Sequence, residues 1–176
     1  ETTFKVGDES LKFGTDYAFI PYSKDDKSAS GDLVFIAYGI QAEQIKRDDL
    51  QGISVRGKVV VMLDGPPANV SEDAWEKGNA KFAILGNIFR GGAAAVVIIG
   101  HGREKDAPEL IISYLSRRQI ALSGESVQSQ PIPPIIAAGK TAAEKLFAKS
   151  GTTLKDALAA AEQNNFKPID LKQTAK

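Results

Sequence analysis

Two apolar runs, "KVVVML" (58–63) and "AAAVVII" (93–99), flank a stretch with the period of a helix, and this arrangement constrains the fold more than anything else in the chain. Between the runs, Trp75, Gly78, Phe82, Leu85 and Phe89 recur at spacings of three, four and seven, which places them on one helical face. Ser71 is positioned to cap that helix, with Glu72 and Asp73 in its first turn, and Gly91-Gly92 stops it. Strand, helix, strand in this order predicts a right-handed βαβ crossover whose two strands are parallel neighbours. The fold class that follows is α/β.

The rest of the chain extends this pattern. "DLVFIAYGI" (32–40) reads as a strand, "DYAFIPY" (16–22) as a weaker one, and the polar "SKDDKSASGD" (23–32) as a surface loop. "PPIIAAGKTAAEKLF" (133–147) has the local order of a phosphate-binding loop, because an apolar run ends in Gly139-Lys140-Thr141. Position 134 is proline, however, and "IIAA" is strand material, so the glycine-rich turn that aims backbone N–H groups at phosphate is missing. Thr141 and Glu144 instead predict a capping box for a helix in which Leu146 and Phe147 pack and which Gly151 closes. A second capping box, Thr153 to Asp156, opens a helix with Leu154, Ala157, Leu158 and Ala161 on one side. Residues 103–130 are the least readable: "ELIISYLSRRQIAL" is compatible with either helix or strand and "SGESVQSQ" reads as loop, while "PIDLKQTAK" reads as a final strand.

With 176 residues, 43% hydrophobic, the chain is expected to form one compact domain over 1–176 that buries roughly 70% of its unfolded surface. Lys plus Arg equal Asp plus Glu at 22 each, which leaves no net positive field to attract nucleic acid. Cysteine is absent, so disulfides, thiolate metal sites and a cysteine nucleophile are excluded. The apolar runs fall far short of the ~20 residues that span a bilayer, so no membrane span is expected. The N-terminal "ETTFKVGDESLKFG" has no basic region or apolar signal core and reads as the start of a processed or excised piece.

Few residues select a chemistry. His101 is the one histidine, and neither a metal-ligand spacing nor a nucleophile elbow accompanies it. Its plainer occupation is that of a polar residue at a strand-end turn. Asp25-Asp26, Asp48-Asp49 and Glu72-Asp73 lie in polar stretches and read as solvated turns or helix starts. Asn69-Val70-Ser71 fits the glycosylation pattern, which is a common coincidence. Topology is more informative: the loops after two parallel strands share one edge of the sheet, where open α/β sheets bind ligands. "LDGPP" and "GHGR" therefore share that edge, and Asp64, Pro66, Pro67, His101 and Arg103 form a candidate binding rim. Alternatively, these prolines and glycines only turn the chain.

Taken in order, "GDLVFIAYGI", "DDLQGISVRGKVVVMLDGPP", "KFAILGNIFRGGAAAVVII" and "PIPPIIAAGKTAAEKLF" resemble the protease-associated domain inserted in secreted zinc aminopeptidases of the transferrin-receptor and glutamate-carboxypeptidase kind. The resemblance covers nearly the whole chain, and its strength lies in order and spacing, since no single segment is specific. It implies a β/β/α swivelling sandwich that is non-catalytic and borders a peptidase active site or mediates protein contacts. The implied partners are the catalytic peptidase domain of the same parent chain and a peptide or protein substrate. The implied location is periplasmic or extracellular. It also implies no cofactor in this chain, with zinc held in the parent's catalytic domain. "NVSEDAWEKGNA" and "GREKDAPELIISYLSRRQ" depart from the family pattern. Two other readings stand beside it: a stand-alone peptide- or protein-binding module, and a small enzyme with a carboxylate site.

Overall fold

A computed structural model of the chain describes residues 3–20, 28–43, 46–71, 73, 75, 80–100 and 132–176. Ten strands are described: β1 (Phe4–Val6), β2 (Glu9–Leu11), β3 (Tyr17–Phe19), β4 (Gly31–Phe35), β5 (Gln41–Ala42), β6 (Arg47–Asp48), β7 (Val59–Leu63), β8 (Ala95–Ile99), β9 (Ile135–Ala138) and β10 (Ile169–Ala175). Three helices accompany them: α1 (Ala80–Arg90), α2 (Lys140–Phe147) and α3 (Leu154–Ala161). Among the described residues no helix is long and apolar enough to cross a membrane.

Eight strands form one mixed sheet in the order β2-β1-β10-β4-β7-β8-β9-β3, and β5 and β6 form a separate hairpin. Its centre is parallel: β4 pairs with β7, β7 with β8, and β8 with β9. The expected parallel pairing of "KVVVML" and "AAVVII" around a helix is therefore present, with Val59 opposite Ala95 and Leu63 opposite Ile99. Every residue of β7, β8 and β9 is buried, as strands covered on both faces require. Antiparallel strands flank this centre, β10 on β4 at one side and β3 on β9 at the other.

The sheet has to curl into a barrel-like form. β2 and β3 stand at opposite ends of the order, yet only residues 12–16 join them. Laid flat at ~4.8 Å per strand, those ends would be about 33 Å apart, whereas the linker stretches to about 20 Å. The Phe4 ring on β1 accordingly meets the Tyr17 ring on β3 edge to face at 5.3 Å, and Tyr17 also packs on Phe13 and Phe19. Phe35, Phe147 and Phe166 form a second aromatic group that ties β4 to α2 and to the segment after α3.

Several local expectations change. The strand read over 32–40 ends at Phe35, where the chain turns through Ala37 and Gly39, both at positive φ. α1 buries Ile84, Leu85 and Ile88, while Phe82 is 65% exposed, so its inner face lies about a quarter turn from the one expected. Two apolar stripes overlap at Leu85, and the isoleucine stripe seats against Gly39, where an added Cβ would fall 2.9 Å from Ile84 Cγ2. The helix ends in a Schellman arrangement: Gly92 at φ +85 donates to Phe89 C=O, and Ala93 donates to Ile88 C=O. α2 starts one residue after Gly139, which caps it without a side-chain bond, so Thr141 lies inside the first turn and forms no capping box. α2 ends at Phe147, short of Gly151. For α3 the Thr153 cap is present, with the Asp156 N–H donating to Thr153 Oγ1 at 3.1 Å, but Asp156 Oδ2 accepts from the Thr153 hydroxyl at 2.7 Å and not from its N–H, so the box is half formed. Half of the loop expected over 23–32, residues 23–27, lies outside the described residues, and its last two residues, Gly31 and Asp32, open β4; the segment 103–130 lies wholly outside.

Candidate functional site

The parallel strands deliver two loops to one edge, residues 36–40 after β4 and 64–70 after β7. Backbone bonds stitch these loops to the sheet: Leu63 N–H to Ala37 C=O at 2.8 Å and Asp64 N–H to Ile99 C=O at 3.1 Å. The β5–β6 hairpin and the C-terminal end of α3 close over the same edge through polar side chains.

Arg47 and Asp49 lie on one side of the chain, as alternate residues of extended backbone do. Arg47 Nε donates to Asp49 Oδ1 at 2.8 Å and Nη2 to Oδ2 at 3.2 Å, and both side chains are fully buried. Nη2 also donates to Ala161 C=O at 2.6 Å, which places a buried cation at the C-terminal end of α3, where the helix dipole favours it. Arg47 Cζ lies 5.3 Å from the Tyr38 ring centroid, within cation–π range. Asp49 and Ile40 exchange reciprocal bonds, Ile40 N–H to Oδ2 at 3.0 Å and Asp49 N–H to Ile40 C=O at 2.8 Å. Burial pushes the Asp49 carboxyl above the ordinary carboxylate range, against the opposing pull of Arg47 and the Ile40 and Tyr38 amides.

Glu162, directly after α3, forms a second fastening. Tyr38 Oη donates to its Oε1, and the Ala68 N–H donates to Oε2 at 2.7 Å. One carboxylate thus holds the loops after β4 and β7 to the end of α3. Asp64 is similarly committed, since Oδ1 accepts from Lys81 Nζ at 2.7 Å and from Gly65 N–H at 3.0 Å.

Of the candidate rim, Asp64 sits at this edge in its ion pair with Lys81, while Pro66 and Pro67 are buried and shape the turn, with Val70 N–H donating to Pro67 C=O at 3.0 Å. His101 and Arg103 lie outside the described residues. The exposed part of the turn is Ala68 and Asn69, which face Glu162, Gln163, Asn164 and Asn165 across a shallow cleft of about 430 Å³. Among the described residues no group of three or more His, Asp or Glu side chains is placed to hold a metal ion.

Sequence reasoning missed Arg47, Asp49, Tyr38 and Glu162. Asp48-Asp49 reads as a solvated turn, and only Asp48 is on the outside; Asp49 is fully buried. The available signal was the arginine two positions earlier, because i and i+2 share a face in extended chain. No protein-family model matches the chain, and no curated protein matches its sequence.

Proposed function

We propose that this chain is a non-catalytic accessory domain of an exported zinc-dependent aminopeptidase, a protease-associated domain that shapes substrate access or mediates protein contacts. The observation that carries this reading is the occupation of the carboxylates at the strand-end edge. Asp49 is locked to Arg47, Glu162 to Tyr38 and Ala68, and Asp64 to Lys81 and Gly65. A general base needs an oxygen within hydrogen-bond reach of substrate. These carboxylates fasten loops instead, leaving a stiff rim suited to contact. The mixed sheet, parallel at its centre and antiparallel at its flanks, is compatible with the β/β/α swivelling arrangement that the sequence resemblance implies.

The test has two parts. Purified chain is expected to carry less than stoichiometric zinc by mass spectrometry and to leave leucine 4-nitroanilide intact; stoichiometric zinc or turnover defeats the proposal. In the source gene, a histidine and carboxylate zinc-ligand set is expected in the same reading frame. If the frame lacks one, the accessory reading falls and a stand-alone peptide- or protein-binding module replaces it.

A further inference from the structure

We propose that the loop after β4 and the β5–β6 hairpin form one strap that opens and recloses as a unit over the strand-end edge, with Arg47 as its latch. The inference goes beyond the accessory-domain reading and does not depend on it.

Two sets of bonds make the strap one body. Asp49 ties the hairpin to the loop through its reciprocal bonds with Ile40, at 3.0 and 2.8 Å. Arg47 grips Asp49 through both of its carboxylate oxygens, and its guanidinium lies 5.3 Å from the centre of the Tyr38 ring on the loop. The hairpin itself stands apart from the eight-stranded sheet. Arg47 Nη2 fastens it to α3 by donating to Ala161 C=O at 2.6 Å, and the loop is fastened to β7 where Ala37 C=O accepts from Leu63 N–H at 2.8 Å.

Ile36, Tyr38 and Ile40 are buried, so the closed form predominates. That form nevertheless carries three costs, all within the strap. Arg47 Nη1 is buried and its N–H groups meet no acceptor, a shortfall that is larger for a charged donor than for a neutral one. Ala37 at φ +48 and Lys46 at φ +52 hold the left-handed backbone that disfavours a side chain. They are two of the three non-glycine residues at positive φ among the described residues. Opening lets water reach the guanidinium and frees both backbones, so the strap is the part of this edge set to move before the sheet does.

The experiment is native-state amide exchange of the isotope-labelled full chain at low urea, read by NMR. Leu63 and Asp64 are neighbours, yet the Leu63 N–H is bonded to the strap at Ala37 and the Asp64 N–H to Ile99 of β8. Leu63 and Asp49 are expected to share one opening constant, about tenfold or more above that of Asp64 and less dependent on urea. Lys46→Gly, which relieves the left-handed strain, should slow Leu63 and Asp49 by the same factor, about threefold or more. Arg47→Lys keeps the charge but loses the fork and should speed both by about tenfold. Lys46 is exposed, so Lys46→Gly remains a test if the buried Arg47→Lys fails to fold. An opening constant at Leu63 equal to that of Asp64 overturns the proposal. So does either folded variant that leaves Leu63 at the parent rate, because the loop and the hairpin would then open separately.

Discussion

The Tyr38 hydroxyl donates a hydrogen bond to the Glu162 carboxylate across 124 residues of sequence, joining the loop after β4 to the end of α3. Because the second Glu162 oxygen accepts from Ala68 N–H, removal of one side chain releases two donors on two loops. Glu162→Ala is therefore expected to cost about 1–3 kcal/mol in urea unfolding. It should also speed hydrogen exchange at the Ala68 amide selectively. An Ala68 exchange rate equal to that of the parent chain would show that the carboxylate does not hold this turn.

Arg47 and Asp49 form the other fastening, and their full burial sets the cost of separating them. Arg47→Met leaves a buried carboxylate with no cation and is expected to cost about 3–5 kcal/mol. In Arg47→Met/Asp49→Asn the stranded charge is gone, while an amide oxygen still accepts from Ile40 N–H. The double variant should then be more stable than Arg47→Met alone. Costs that simply add in the double-mutant cycle would show that the two side chains are not coupled.

The βαβ unit was legible because buried parallel strands announce themselves as continuous β-branched runs, as in Val59–Leu63 and Ala95–Ile99. Their edge was legible only as the meeting of "LDGPP" with "GHGR", whose His101 and Arg103 lie outside the described residues, whereas the loop after β4 joins it through the parallel pairing of β4 with β7. What fills the edge was not. Glu162 reads as the polar end of a surface helix, and its partners Tyr38 and Ala68 are brought near only by the curled sheet. Barrel-like closure was equally hidden, because β2, β1 and β10 are short or irregular and β1 meets β10 across the whole length of the chain. Thr141 shows the limit of motif reading: its spacing to Glu144 fits a capping box, but the strand before it ends so late that Gly139 becomes the cap.

α1 offers a direct test of which stripe faces inward. Phe82 is 65% exposed and Ile88 is 1% exposed. Phe82→Ser should change stability by no more than about 0.5 kcal/mol, whereas Ile88→Ala should cost about 2–5 kcal/mol. Equal costs in urea unfolding would restore the face expected from spacing.

Asp49 should also leave a mark on the pH dependence of stability. Its carboxyl lies above the ordinary range because burial outweighs the pull of Arg47 and the backbone amides. From pH ~4, where the unfolded carboxyl titrates, up to the raised native value, the native chain holds more protons at this site than the unfolded chain. Stability contributed by the site is therefore greatest in acid and falls as pH rises through that window. Asp49→Asn lacks the titration, so the stability of the parent chain minus that of the variant should decrease with rising pH above ~4. An increase would mean that the Arg47 pairing dominates burial.

Gly31 opens β4 against the backbone of Gly57, where an added Cβ would lie 2.2 Å from the Gly57 carbonyl oxygen. Neither side can give way easily. Gly31 is in register with Ala175 on β10, and the Gly57 N–H is bonded to Gly92 C=O at 2.8 Å. Gly31→Ala is expected to cost about 1–3 kcal/mol as overpacking against main chain, with the larger value favoured by the lack of any side chain to rotate aside. Gly52 supplies the control: at φ +78 it has no atom within 4 Å of an added Cβ, so Gly52→Ala meets only the left-handed backbone penalty of about 1–2 kcal/mol. The two effects also differ in kind. Strain at Gly52 stays in a turn, whereas at Gly31 the clash must be relieved by shifting β4 against the chain entering β7, loosening the parallel pairing of Leu33 with Val59. Amide exchange of β4 and β7 should therefore rise in Gly31→Ala and remain at the parent value in Gly52→Ala. Protected β4 amides in Gly31→Ala would show that the sheet absorbs the methyl group without opening.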